Sequence, residues 1–466
     1  MENIKELIDT ISELLEEHNY KEIRSTLKDL EPADLSLVLE SSPKKLATLF
    51  RLLPKDLAAE CFVEMESENQ EVLLSSLTDN ELKLVMEELY IDDTVDIIEE
   101  MPANVVKRIL SNSDAETRKT INEILNYPED SAGSIMTTEY VSLDEDITVA
   151  DALKRIRRTG VDKETIYTCY VTKPDRTLLG YVTAKQLLLA DEDTVISDIM
   201  DTNIIFAITN VDKEIVALEM SKYDLLALPI VDKENRLVGI VTVDDAIDVM
   251  EEEATEDIEK MAAITPSDKP YLLTSVFTIW KNRIPWLIIL MLSATFTSTI
   301  ISSFEEKLVA CLVLNAFIPM IMGSGGNAGG QTSVTIIRGL AIDEIKLGDI
   351  FKILFKELRV SILCGATLSI TTFAKIILID HYLLKIFVDD SGAILNLDSV
   401  IPIALAISLT VLLTIISSKL VGCLLPILAK RIKLDPAVMA SPLITTIVDV
   451  LSLLIYFGIA SAFMLI

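Results

Sequence analysis

The residue with the clearest chemistry is Asp449, the single charged side chain in the apolar stretch from Ala437 to Ile466. It stands in Ser-Pro-Leu-Ile-Thr-Thr-Ile-Val-Asp-Val-Leu-Ser. A carboxylate well inside a membrane helix costs about 2.5–3.5 kcal/mol even on a lenient insertion scale, so it usually faces a bundle interior or a water-filled path. The chemistry on offer is electrostatic, a fixed negative charge and two acceptor oxygens for a passing cation. The alternative is a neutral or lysine-paired carboxyl that only aids packing.

A second candidate is the run from Pro319 to Ser333, Pro-Met-Ile-Met-Gly-Ser-Gly-Gly-Asn-Ala-Gly-Gly-Gln-Thr-Ser. Its glycines permit a kinked or unwound backbone, tolerated at membrane depth where protein or a watery cavity satisfies it. They equally permit close helix–helix contact through small residues. Asn327 and Gln331 are one helical turn apart, so both amides can face one lumen. No Gly-Lys-Ser/Thr follows, which excludes a phosphate loop.

The elements that must position these residues are membrane helices. Five apolar segments lie near 284–303, 308–337, 360–379, 399–428 and 437–466, and a span needs about 20 residues. With the amino terminus inside, the inner flanks hold Lys281, Arg283, Arg338, Lys346, Lys352, Lys356, Arg359, Lys430, Arg431 and Lys433. The outer flanks hold Lys307 and Lys385 beside Glu305, Glu306, Asp380, Asp389, Asp390 and Asp398. This asymmetry predicts an odd number of spans and an external carboxyl terminus. Lys375 and Lys419, near segment ends, are expected to snorkel towards the interface.

The other half of the chain is soluble and strongly acidic. Residues 1–270 hold 27 Lys and Arg against 60 Asp and Glu, whereas residues 271–466 hold 14 against 12. Such a surface repels nucleic acid and attracts cations. Cys61, Cys169, Cys311, Cys364 and Cys423 are isolated, and His18 and His381 are the two histidines. Neither a thiolate zinc site nor a disulfide framework is supported. The first twenty residues read as a charged amphipathic helix and not as a signal peptide, so this half is expected in the cytosol.

Residues 1–130 read as short helices. Leu-Glu-Pro-Ala-Asp-Leu from Leu30, Leu-Pro-Lys-Asp-Leu from Leu53 and Leu-Thr-Asp-Asn-Glu-Leu from Leu77 each place proline or a capping residue before first-turn acid, as helix starts prefer. Their regular spacing predicts a superhelical stack of paired helices. Asp92, Asp93 and Asp96 open a further segment, where helix capping competes with any binding role. From Ser134 the texture changes to strand–helix units in two copies. Ser-Ile-Met at 134–136 recurs as Asp-Ile-Met at 198–200, and Leu-Leu-Gly-Tyr-Val-Thr from Leu178 recurs as Leu-Val-Gly-Ile-Val-Thr from Leu237. These copies, at 134–197 and 198–253, resemble a tandem CBS pair, a module that often binds adenine nucleotides. The second copy keeps the nucleotide signature of that family as Gly239, Thr242 and Asp245; the first has Gln186 where the acid would stand. An acidic helical stretch then leads through 248–270 into the membrane domain, 271–466.

The order of acidic helical domain, α/β CBS pair, acidic connecting helix and five-helix transmembrane domain resembles the MgtE magnesium channels over essentially the whole chain. The matching motifs are Gly-Ser-Gly-Gly-Asn-Ala-Gly-Gly-Gln at 323–331, Arg338-Gly-Leu-Ala, Asp435-Pro-Ala-Val and the segment ending at Asp449. Ser452 stands where that family usually has glycine. The resemblance implies a homodimer in the bacterial inner membrane. Its axial pore would be lined by the second and fifth spans, with two copies of Asp449, the carbonyl of Thr445, and Asn327 and Gln331 around a hydrated Mg2+. It also implies negative feedback, in which internal Mg2+ bridges cytosolic acids and the acidic helix closes the inner mouth. The bridging residues it points to are Glu60, Asp92, Asp96, the carbonyl of Gly133, Glu214, Asp224, Asp245, Asp248, Glu253, Glu256 and Asp257, with Asp435 at the inner mouth. Asp435 lies 14 residues before Asp449, about 21 Å along an unbroken helix, so the two cannot share an ion. Thr242 and Asp245 are the candidates for ATP at the CBS pair.

Two other readings remain open from the residues alone. Hard oxygen ligands also admit a transporter of Co2+ or Mn2+. A CBS-regulated membrane receptor without ion flux would not need Asp449. No nucleophile–base pair points to an enzyme.

Overall fold

The computed structural model describes residues 2–267, 271–272, 274–304, 312–342, 344–387, 395–439 and 441–463. The chain divides into two units, Met1–Met250 and Glu251–Ile466.

In the first unit the expected helix starts are present. Helices Pro32–Glu40 and Lys55–Val63 each open on a proline, and Asp79–Met86 opens on a Thr78–Glu81 capping box. Proline costs nothing there because the first helical N–H groups have no intrahelical acceptor. These three helices and Ala103–Asn112 stack in series, each against the next but one along the chain. Their inward faces bury Leu35, Leu39, Phe62 and Ile109 completely. The acidic segment forms the helix Ile91–Glu100, which packs on Ala115–Ile124.

The two strand–helix copies have one topology. Strands β1 (Ser142–Asp144), β2 (Thr168–Thr172) and β3 (Leu178–Thr183) pair in that order, first parallel and then antiparallel. Strands β4 (Ala207–Ile208), β5 (Ala227–Val231) and β6 (Leu237–Thr242) repeat the pattern, including the irregularity near the end of the central strand. The repeated Ile-Met segments cross over. Thr137 bridges Ile240 in the second copy, and Asp201 bridges Tyr181 in the first. A Cβ on Gly239 would lie 2.7 Å from the Met136 sulfur. Glycine therefore recurs in β3 and β6 because the crossing segment lies against it. One continuous core joins the helical stack to the second copy through Val216, Ile230, Val241 and Val249. The first copy closes a core of its own around Leu143, Val171 and Val182. Helix Val243–Met261 leaves directly from β6.

In the second unit, Val276–Ser303, Leu347–Leu383, Leu397–Arg431 and Pro436–Ala462 are long and apolar enough to cross a membrane. Between the first two lies the helix Ile318–Ala341, 24 residues or about 36 Å long, whose glycines and amides dilute its hydropathy. Numbered along the chain, the spans are Val276–Ser303, Ile318–Ala341, Ile350–Lys375, Leu397–Arg431 and Ser441–Ala462. The third continues as a π-helix, Ile376–Leu383. Spans two, four and five enclose Ile321, Ala404, Ile407, Ile415, Leu453, Tyr456 and Phe457. The Tyr456 hydroxyl donates to the Leu314 carbonyl at 2.8 Å, which satisfies its buried polar tip. Glu305, Glu306, Lys307, Asp389 and Asp390 from the predicted outer flanks, with Cys311, Pro270 and residues 464–466, lie outside the described residues.

Three expectations need correction. The glycine run does not unwind: the second span is helical throughout. Its glycines instead admit neighbours, and Gly422 of the fourth span lies directly over the Gly329 carbonyl. Lys419 does not snorkel but is buried, with its Nζ 3.2 Å from Thr332 Oγ1. Lys375 pairs 2.8 Å from the buried Asp380. The widened turn of the π segment brings residues five apart onto one face, which lets that pair form.

Candidate functional site

The fifth span meets the second through its small and branched residues. A Cβ on Gly325 would lie 2.9 Å from Ser452 Oγ and from Val448 Cγ1, and one on Gly326 would lie 3.0 Å from Thr445 Cγ2. The Ser452 hydroxyl donates to the Val448 carbonyl at 2.6 Å, so serine fits the cleft without an unsatisfied group. Thr445 lies one helical turn before Asp449, and Gly326 immediately precedes Asn327, so Asp449 stands beside the seam between these spans. It is half-buried and has no hydrogen-bond or ion-pair partner among the described residues. Within the second span Gly323, Asn327, Gln331, Thr335 and Arg338 are exposed. Their spacing of three and four residues forms one polar stripe on a helix otherwise packed among apolar neighbours. Lys375 and Lys419, the two lysines deepest in the apolar segments, are engaged elsewhere, and Asp449 has no lysine partner among the described residues.

At the inner end, helix Val243–Met261 packs Met261 against Ile337 and Ala437. Lys260 lies 2.5 Å from Glu256 and 2.7 Å from Asp435. Burial alone would lower the Lys260 pKa, but hydrogen bonds to Asp435 and Glu256 raise it overall. Asp257 beside it is pushed upward by burial and then by the charge of Asp435. Asp435 also accepts from the Ala437 N–H at 2.8 Å. It precedes the 3-10 turn Pro436–Met439, so Asp435 and Asp449 do not lie on one continuous helix.

The third concentration of charge is in the first unit. Asp92, at the start of its helix, is only 6 % exposed, and its Oδ1 has no partner. Burial and then Asp245, Asp93 and Glu164 hold its carboxyl far above the usual range. Asp93 is pushed up to about 7 by burial and then by Asp245, Asp244, Glu139 and Glu64. Glu164 is pushed to about 8 by burial and then by Asp244, Asp93 and Asp245, and its Oε2 is also unpartnered. Burial raises Asp245 to about 6, against the opposing hydrogen bond from Thr242. Repelling carboxylates with orphaned oxygens fit a cation as counter-charge. Among the described residues no three such ligands converge on one point.

The remaining expected residues are dispersed. Glu60 is exposed in an open groove with Arg24, Lys28 and Asp56; Glu64, one turn on, faces the Asp93 cluster instead. Asp96 is on the outer face of its helix, and Asp248 is exposed. Gly133 donates its N–H to the Thr209 carbonyl at 2.9 Å, and its lack of a Cβ admits the Tyr127 ring. Glu214 follows the cap Asp212, while Asp224 closes the same helix in the left-handed conformation, φ 52°. Glu253 is half-buried on the connecting helix. Thr242 and Asp245 bond to each other at the start of that helix, just as Thr183 and Gln186 form a capping box in the first copy. Gln186 therefore preserves the cap where the acid is missing. Sequence reasoning missed Lys260, Glu139, Glu164 and Asp244; only Asp244, next to Asp245, carried a local signal.

Comparison with known proteins agrees along the whole chain. Residues 318–459 match the MgtE divalent cation transporter family, 30–130 the MgtE intracellular N domain, and 132–193 and 196–252 the CBS domain. The magnesium transporter MgtE of Thermus thermophilus is 36 % identical over 461 residues, covering 98 % of each chain. That of Bacillus subtilis is 35 % identical, covering 98 % of this chain and 97 % of its own. A crystal structure of the cytosolic domain of the Mg2+ channel MgtE in complex with ATP aligns with 52 % of this chain and 99 % of its own, at 36 % identity and a TM-score of 0.50. The soluble part of a magnesium transporter aligns with 54 % and 99 %, at 31 % identity and a TM-score of 0.51.

Proposed function

Because the chain belongs to the MgtE family of magnesium transporters, we propose that it is a homodimeric Mg2+ channel of the bacterial inner membrane, closed from the cytosolic side by Mg2+ itself. The observation that carries this reading is Asp449, half-buried and without a partner among the described residues, one helical turn from Thr445, which lies against Gly326 next to Asn327. One chain leaves the exposed Asn327–Gln331 stripe unsatisfied, and a second copy facing it would enclose an aqueous axis. Two Asp449 carboxylates would then supply the negative ring by which cation pores select. Magnesium dehydrates reluctantly, so the carboxylates, the Asn327 and Gln331 amides and the Thr445 carbonyl would grip its water shell.

Closure follows from electrostatics. At low Mg2+ the Asp92, Asp93, Asp245 and Glu164 cluster repels itself. Bound Mg2+ stabilises the compact arrangement only as far as it prefers that arrangement to the open one. Glu60, Asp96, Gly133, Glu214, Asp224, Asp248 and Glu253 would add weaker bridges, including some between subunits. Glu256, Asp257 and Asp435 would let Mg2+ fasten the connecting helix at the inner mouth. ATP at the CBS pair is a further part of the proposal, supported by the ATP-bound relative, with Thr242 and Asp245 at the candidate pocket.

The test is uptake by vesicles holding the purified full chain, with Mg2+, Co2+ and Mn2+ offered separately to wild type and Asp449→Ala. Mg2+-selective uptake lost in the variant is the expected result; uptake unchanged by the substitution overturns the pore assignment. Deleting residues 1–260 should leave uptake that no longer stops at high internal Mg2+. A truncated chain that still closes would remove the cytosolic acids from gating.

A further inference from the structure

The fourth span carries a buried lysine that ion passage through the seam does not use. Lys419, 6 % exposed, donates from Nζ to Thr332 Oγ1 at 3.2 Å, and that hydroxyl donates to Glu357 Oε2 at 3.3 Å. A threonine hydroxyl has one proton and two lone pairs, so it can accept from an ammonium and donate to a carboxylate at once. The three residues come from the second, third and fourth spans. Towards the inner side the same helix faces continue as apolar packing, with Ile336 and Leu340, Cys423 and Ile427, and Ile353 and Leu354 in one cluster. The charged chain thus sits at the head of an apolar plug.

Thr332 directly follows Gln331, which belongs to the exposed stripe, while Thr332 itself is buried. The Lys419 and Glu357 charges therefore lie behind the helix wall whose front faces the ion path, about one helix diameter or 10 Å away. At that range in low dielectric a bare charge still acts on a divalent ion. An unbalanced lysine would repel it, and an unbalanced glutamate would attract it.

We propose that Lys419 and Glu357, joined through Thr332, form a charge-balanced bracket that holds the second span in register and sets the potential felt by the cation in the seam. Both are positioning residues and touch no ion. The inference rests on the ion path running along the Asn327–Gln331 stripe. Failure of that path shows as full uptake by Asp449→Ala, whereas failure of the bracket shows only in the variants below.

The experiment measures the concentration dependence of Mg2+ uptake by full-length protein in vesicles, normalised to protein eluting as a single species. Glu357→Gln leaves the lysine unbalanced and should weaken apparent Mg2+ affinity about tenfold. Lys419→Met leaves the glutamate unbalanced and should strengthen it by a similar factor. The double variant should return close to wild type, and Lys419→Arg should keep wild-type behaviour. A bracket that only packs would make both single variants lose maximal rate alike, with no recovery in the double, and that result overturns the proposal. Unchanged affinity in all variants also overturns it. Should Glu357→Gln not fold, the direction of the Lys419→Met shift and recovery in the double variant decide the question.

Discussion

The Lys260 ammonium lies 2.7 Å from the Asp435 carboxylate, fastening the end of the connecting helix to the turn before the fifth span. Lys260 supplies a built-in cation where Glu256, Asp257 and Asp435 would otherwise repel one another. A partly exposed pair of this kind contributes about 1 kcal/mol. Lys260→Met is therefore expected to shift channel closure to roughly fivefold higher internal Mg2+ while leaving closure complete at saturation. Uptake against internal Mg2+ in vesicles measures this; a variant that closes at lower Mg2+ than wild type would count against the fastening role.

Asp449 offers a sharper contrast between charge and shape. Asp449→Asn keeps the volume and the acceptor oxygen but removes the charge, and should reduce Mg2+ uptake at least tenfold, if a charged hydrogen-bonding group of this kind contributes about 1.5–3 kcal/mol. Asp449→Glu should retain measurable uptake. Equal activity in the asparagine variant would mean that packing, and not charge, explains the residue.

The acid cluster makes the first unit sensitive to pH. Asp93 is held near 7 and Glu164 near 8, against ordinary values of about 4. The folded state therefore binds more protons than the unfolded state between about pH 4 and pH 8, and stability falls as pH rises through that window. Mg2+ should offset this loss at pH 8, where Asp93 is mostly ionised and Glu164 partly so, and do little at pH 5. Hydrogen exchange of the full chain at residues 91–100 and 243–250 reads the effect; equal protection by Mg2+ at both pH values would argue against binding there.

Gly422 lies against the Gly329 carbonyl so closely that an added Cβ would require the backbone to move. Overpacking of this kind costs about 1–3 kcal/mol. Gly422→Ala should lower the thermal midpoint and separate the second and fourth spans, with reduced uptake as a consequence. Gly323 has open space around it, so Gly323→Ala is the control, expected to change the midpoint little.

Much of this organisation was legible in the chain. Proline and capping residues before first-turn acid marked the helices at Pro32, Lys55 and Asp79, because a helix start is a local hydrogen-bonding problem. The twofold strand–helix repeat marked two sheets of one topology. Its boundary at residue 198 was less informative, since each Ile-Met segment pairs with the other copy. The glycine run was ambiguous because flexibility and close approach ask for the same residue. Only the facing helices, with Thr445, Val448 and Ser452 against Gly325 and Gly326, decide for close approach.

What the sequence determined by itself were properties of single segments: five apolar stretches, an acidic cytosolic half, and a carboxylate too costly to leave in hydrocarbon. The tertiary structure decided which charges meet. Lys419 and Thr332 are 87 residues apart, and Asp92 meets Asp245 across two differently folded regions. Periodicity and transfer cost act along a few turns of one helix, whereas a buried charge takes whatever partner the packing of distant segments brings into reach.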